Sequence, residues 1–113
     1  MKKIDLENHF ASEMYIDALY SNPGYPRYVD DTTTGERRFH HTEGYWQPFG
    51  DPLLDRLRDL DDLRLAAMDA GGIDVAVISH TAPGPEQLEP KLATAIARNA
   101  NDTLAAAIDR HPD

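Results

Sequence analysis

Glu7 and His9 are the first residues from which chemistry is expected. On a strand, side chains at i and i+2 project to the same side. A carboxylate and an imidazole then stand together, a donor pair suited to a divalent metal such as zinc or manganese. The same Glu-x-His is also an ordinary polar strand end, and the pair alone does not choose between the two. Phe10 follows His9 directly, while His80 and Thr81 stand just past a second apolar run. These three are candidates for substrate contact. Each has a plainer reading: core packing for Phe10, a solvent-facing loop for His80, and the shaping of a Pro-Gly turn for Thr81. His40-His41 are adjacent, and adjacent side chains diverge in most backbones, so a solvated loop is expected there. Asn101 and Asp102 lie mid-helix, where holding neighbouring loops is expected of them.

The elements that must position these residues fall into three zones. Lys3-Ile4-Asp5-Leu6-Glu7 alternates polar and apolar, which predicts a strand over residues 2–8, within a first-strand segment 1–9. Residues 10–51 differ in kind: after a short helix at about 11–20, no period holds. This stretch carries Tyr15, Tyr20, Tyr25, Tyr28, Tyr45, Trp46, Phe39 and Phe49, with turn chemistry at Asn22-Pro23-Gly24 and Asp30 to Gly35. It is expected to be an aromatic-rich loop or lid insert, or an arm between subunits. Leu53, Leu57, Leu60, Ala67 and Met68 then predict one helix over 52–71, opened by Asp51-Pro52 and stopped by Gly71-Gly72. Arg64, three residues after Asp61, is expected to form an ion pair with it on a partly buried face. Residues 73–79 form a β-branched run apolar enough for a buried parallel strand. A second helix follows over 86–111, its start at about 86 or 90. Leu88, Leu92, Ile96, Ala100, Leu104 and Ile108 repeat along it, and Pro90 is tolerable only in its first turn. Strands alternating with helices give an α/β fold built from βαβ units and a parallel sheet.

The 113 residues carry 20 acidic against 11 basic side chains, a formal charge of −9. That balance disfavours nucleic acid and anionic membrane surfaces as partners. With no cysteine, disulfide scaffolds, thiol catalysis and cysteine metal sites are excluded. No apolar run approaches the roughly 20 residues of a membrane span, and the start lacks the apolar core of a signal peptide. A cytoplasmic protein is expected.

Four motifs add to this. Ile4-Asp5-Leu6-Glu7-Asn8-His9-Phe10-Ala11 resembles the opening of the metal-dependent aromatic-acid decarboxylases of the amidohydrolase superfamily, the γ-resorcylate, 2,3-dihydroxybenzoate and 5-carboxyvanillate decarboxylases among them. Leu65-Ala66-Ala67-Met68-Asp69-Ala70-Gly71-Gly72-Ile73-Asp74 is similar to that family's helix-to-strand junction. Ser79-His80-Thr81-Ala82-Pro83-Gly84 is similar to its loop after strand two. Ala97-Arg98-Asn99-Ala100-Asn101-Asp102, followed by His111-Pro112-Asp113, is similar to its next helix and exit. The likeness covers residues 4–11 and about 53–113, leaving out the aromatic insert.

The resemblance implies the N-terminal β-α-β-α portion of a (β/α)8 barrel, with the insert after strand one. It implies one divalent metal, no organic cofactor, and Glu7 and His9 as the first-strand ligand pair. The metal would orient a small aromatic carboxylic acid through its carboxylate and an ortho hydroxyl. The acid that protonates the ring is, in this family, an aspartate late in the chain, so no catalytic residue is expected within these residues. The Thr81 position can touch substrate in such enzymes. The expected activity is non-oxidative decarboxylation of a hydroxylated aromatic acid, with homo-oligomer formation through the insert. A hydrolase of the same superfamily and a non-catalytic assembly module are the alternatives. A barrel typically needs about 250 residues, so the length is read as that of a truncated chain, inactive by itself.

Overall fold

A computed structural model describes residues 1–112. In chain order the elements are β1 (Ile4–Phe10), α1 (Glu13–Ser21), β2 (Arg27–Asp30), β3 (Arg37–Thr42), β4 (Tyr45–Pro48), α2 (Asp51–Arg58), α3 (Asp62–Gly71), β5 (Val75–His80), a 3-10 turn (Pro85–Gln87) and α4 (Pro90–Arg110). The fold is mixed α/β. β1 and β5 form a two-stranded parallel sheet, and β2-β3-β4 form a separate antiparallel one. Among the described residues no helix is long and apolar enough to cross a membrane.

The parallel pair sets the frame. Ile4 stands opposite Val75, Asp5 opposite Ala76, Asn8 opposite Ile78, His9 opposite Ser79 and Phe10 opposite His80. Between Asp5 and Asn8 the register slips, so Leu6 and Glu7 together oppose Val77. Such a bulge changes which side of the strand odd and even residues occupy. After it, Asn8 and Phe10 lie on the face shared with Ile78 and His80, while His9 lies on the face of Val77 and Ser79. The first face is covered: Phe10, Leu60, Ala100 and Ala107 form a core cluster, with Ile78 and Leu104 packed on it. The second is open, leaving Leu6 75 % and Val77 50 % exposed.

The helices follow their punctuation. At the end of α3, Gly72 takes the left-handed conformation (φ 63°) and its N–H reaches the Met68 and Asp69 carbonyls, the use of glycine expected there. Pro90 occupies the first turn of α4, where its missing N–H costs nothing. Preceding it, the Glu89 carboxylate accepts from Leu92 N–H at 3.1 Å. Ile96 and Ala100 of the four-residue stripe are buried, whereas Leu92 and Ile108 are exposed.

Two expectations are corrected here. The single helix over 52–71 is two helices, because the Asp59 carboxylate accepts from the backbone N–H of Asp61 (3.0 Å) and of Arg64 (3.1 Å). A short carboxylate that takes backbone donors offers the chain an alternative to continuing the helix. The insert is no loop either. Its helix forms over Glu13–Ser21, capped by the Ser12 hydroxyl, and the aperiodic remainder folds into β2-β3-β4. Asp31 Oδ1 accepts from Thr33 and Thr34 N–H at 2.8 and 2.9 Å in the first connection. Glu43-Gly44 makes the second, with Gly44 at φ 74°. Tyr28 and Phe39 point from this sheet into a cluster with Tyr15, Ile16, Leu19, Leu54, Leu88 and Ile96. Tyr15, Tyr28 and Phe39 of the insert thus build a core shared with α2 and α4, while Tyr20, Tyr25, Tyr45 and Trp46 stay exposed.

Candidate metal centre

Parallel pairing of β1 with β5 brings two strand ends together, the end at which α/β folds place their ligands. Thr81 N–H donates to the Phe10 carbonyl at 2.8 Å and so ties the two exits to each other. On the open face Glu7 and His9 project side by side, His9 Nε2 4.0 Å from Glu7 Oε1. Their side chains are 88 % and 43 % exposed, so both are free to turn toward a common ligand. The other ring nitrogen, His9 Nδ1, lies 3.2 Å from Ser79 Oγ. Among the described residues no group of three or more histidine, aspartate and glutamate side chains is placed to hold a metal. What stands here is a pair of donors with a hydroxyl behind the imidazole.

The other candidates sit apart from that pair. Phe10 is 2 % exposed and belongs to the core under α4. His80 is on the same covered face, edge-on to the Phe10 ring (centroids 5.4 Å apart) and the Tyr15 ring (4.7 Å). Burial holds its imidazole below the usual histidine range. The Tyr15 hydroxyl donates to the Pro83 carbonyl, and burial pushes that phenol well above its ordinary value. Thr81 is half-buried in the turn, with its hydroxyl 3.5 Å from the Ala82 carbonyl. His40 and His41 are on β3 rather than in a loop: His40 lies near Trp46, while His41 packs edge-on to Phe39. Asn101 and Asp102 are exposed on α4.

Arg64 behaves otherwise than expected. Asp61 instead binds Arg110 (3.0 Å) and His111 (2.7 Å), and the hydrogen bonds from His111 and Arg110 hold its carboxyl below the usual range. Among the described residues the Arg64 guanidinium bonds only to backbone oxygens: Asp59 at 2.9 Å, Arg56 at 3.3 Å and His9 at 2.8 Å. It thus clamps the end of α2 to the residue carrying the imidazole. The adjacent Ala11 N–H donates to the Leu57 carbonyl at 2.9 Å, fastening the same junction. Replacing Arg64 by methionine is expected to lower stability by about 2 kcal/mol, the scale of hydrogen bonds from a charged donor. Lysine, lacking the planar fork, is expected to recover only part of it. A urea midpoint measures this, and an unchanged midpoint for Arg64→Met would contradict the clamp.

Ser79 and the clamping role of Arg64 were not legible in the sequence. Ser79 becomes visible only through the register of two strands 70 residues apart, and Arg64 because its acceptors are backbone atoms.

No family model matches the chain. The gamma-resorcylate decarboxylase of Rhizobium radiobacter is 43 % identical over 98 % of this chain and 28 % of its own length. The chain resembles aromatic-acid decarboxylases along its whole length. Among solved structures, 2,6-dihydroxybenzoate decarboxylase in complex with 2,6-dihydroxybenzoate superposes with a TM-score of 0.64 at 29 % identity, covering 100 % of this chain and 28 % of that one. The 5-carboxyvanillate decarboxylase of Novosphingobium aromaticivorans gives a TM-score of 0.70 at 31 % identity, covering 99 % and 32 %. That structure holds manganese and 3-methoxy-4-hydroxy-5-nitrobenzoic acid. The resemblance read from the four motifs is borne out, and it extends through the insert that those motifs left out. The chain spans about a third or less of each of these proteins.

Proposed function

We propose that the protein carrying this chain is a metal-dependent, non-oxidative decarboxylase of a hydroxylated aromatic acid. The chain supplies the first two strand–helix units of its barrel, with Glu7 and His9 as metal ligands. One observation carries the reading: a carboxylate and an imidazole, 4.0 Å apart, at the carboxyl end of paired parallel strands on a face that no helix covers. The donor set fits a divalent first-row metal, combining a hard carboxylate oxygen with an imidazole whose outer nitrogen is unencumbered. Manganese in a structural neighbour favours that ion. When bound, such an ion supplies charge that orients and polarises a substrate carboxylate and its ortho hydroxyl.

The chain's own part is positional. Glu7 and His9 present their donors from one strand end, and Arg64 holds the His9 carbonyl against the end of α2. The reaction itself protonates the ring carbon that bears the carboxylate, breaks the bond to the carboxyl carbon and releases carbon dioxide. Among the described residues no acid for that proton stands beside Glu7 and His9, and we assign it to segments outside them. Phe10 and His80, packed on the covered face, take structural roles in this reading, and Thr81 shapes the rim. The homo-oligomer expected through the insert belongs to the same proposal, supported by Tyr45 and Trp46 standing exposed on its sheet.

Chelation tests it. Full-length protein stripped with a chelator is expected to lose carbon dioxide release from 2,6-dihydroxybenzoate and to regain it with manganese. Release indifferent to chelation, or no release from any hydroxybenzoate by the loaded protein, would overturn the reading.

A further inference from the structure

We propose that Ser79 is a positioning residue for the metal site, accepting the Nδ1 proton of His9 and so fixing the tautomer that leaves Nε2 free to ligate. The inference rests on the assignment of His9 as a ligand. It starts from register: the bulge at Leu6 and Glu7 puts His9 directly opposite Ser79 on the open face. Ser79 Oγ then lies 3.2 Å from Nδ1, while Nε2 faces Glu7 Oε1 at 4.0 Å. The ring is thus held between a hydroxyl on one nitrogen and a carboxylate beyond the other.

A neutral imidazole carries one proton, and a metal ligand must offer a lone pair. Ligation through Nε2, the nitrogen beside Glu7, requires the proton on Nδ1, where it needs an acceptor. The Ser79 oxygen has lone pairs to accept it and a hydroxyl proton free to rotate away. Metal-ligating histidines ordinarily donate this second N–H to a fixed partner, and loss of that partner typically weakens binding 10–100-fold. Alanine at position 79 would leave Nδ1 only solvent and let the ring turn about its χ angles. Because Ser79 is exposed at a strand end, its hydroxyl contributes little to packing, so a change in affinity separates from a change in fold.

The test is a manganese titration of the full-length protein without substrate, read by the electron paramagnetic resonance of free manganese, with melting temperature measured alongside. Ser79→Ala is expected to weaken manganese binding by about 10-fold or more at an unchanged melting temperature. Ser79→Thr, which keeps the hydroxyl, is expected to stay within a few-fold of the wild type. Wild-type affinity in Ser79→Ala, with His9→Ala binding lost, overturns the role of Ser79 and leaves the metal assignment standing. Wild-type affinity in His9→Ala overturns both.

Discussion

Replacing His9 with alanine in the full-length protein is expected to lower kcat/KM for 2,6-dihydroxybenzoate by about 10³-fold or more, some 4 kcal/mol of transition-state stabilisation. The magnitude follows from what the imidazole does. With Glu7 it forms the donor pair proposed to hold the ion at the end of β1. Losing it removes an anchor for the ion that would orient the substrate carboxylate, a contribution worth several kcal/mol. Glu7→Gln is expected to act in the same direction, since an amide oxygen is a weaker, uncharged donor. Glu7 is largely and His9 partly exposed, and neither belongs to a core cluster, so neither change should shift the melting temperature of the metal-free protein by more than a degree or two. Initial rates at saturating manganese, together with melting of the stripped protein, check both halves. A rate within a few-fold of wild type for His9→Ala would remove the imidazole from the site.

Phe10→Ala is expected to behave in the opposite way, costing about 3–5 kcal/mol of stability, the range for truncating a buried phenylalanine. Phe10 is 2 % exposed and sits where β1, β5 and α4 meet, against Leu60, Ala100 and Ala107 and edge-on to His80. Removing the ring opens a cavity under the strand end that carries His9 and takes one of the two rings from beside the His80 imidazole. KM of the protein that remains folded should change little, because the ring faces away from Glu7 and His9. Phe10→Leu, which keeps most of the volume, should recover most of the loss. The pair of readouts is decisive: a raised KM at unchanged stability would make Phe10 a wall of the substrate site instead of part of the core.

How much of this was legible in the sequence depended on whether a signal was local. Gly71-Gly72 and the β-branched run that becomes Val75–His80 announce a helix stop and a parallel strand within a dozen residues, and both form, but the burial expected of that strand does not: Val75 and Val77 stand exposed on its open face. That Glu7 and His9 project side by side was legible because the two-residue spacing of a strand needs no partner to be read. The insert was not. β2 and β3 bury one residue each, Tyr28 and Phe39, and β4 buries none. Arg37, Arg38, His40, His41 and Thr42 fill the rest of β3, so no apolar alternation marks it. Its order comes instead from the Asp31 and Gly44 turns and from packing on α1, contacts invisible to a windowed pattern. Ser79 and the bulge were hidden for a related reason: register between β1 and β5 is a property of the pair. The break between α2 and α3 turned on one aspartate, Asp59, whose carboxylate outcompetes the helix for two N–H groups.

Manganese anomalous scattering from crystals of the full-length protein locates the ion. One strong peak is expected at the carboxyl end of β1, within about 2.5 Å of both a Glu7 carboxylate oxygen and His9 Nε2. A peak coordinated by neither residue would contradict their role as ligands.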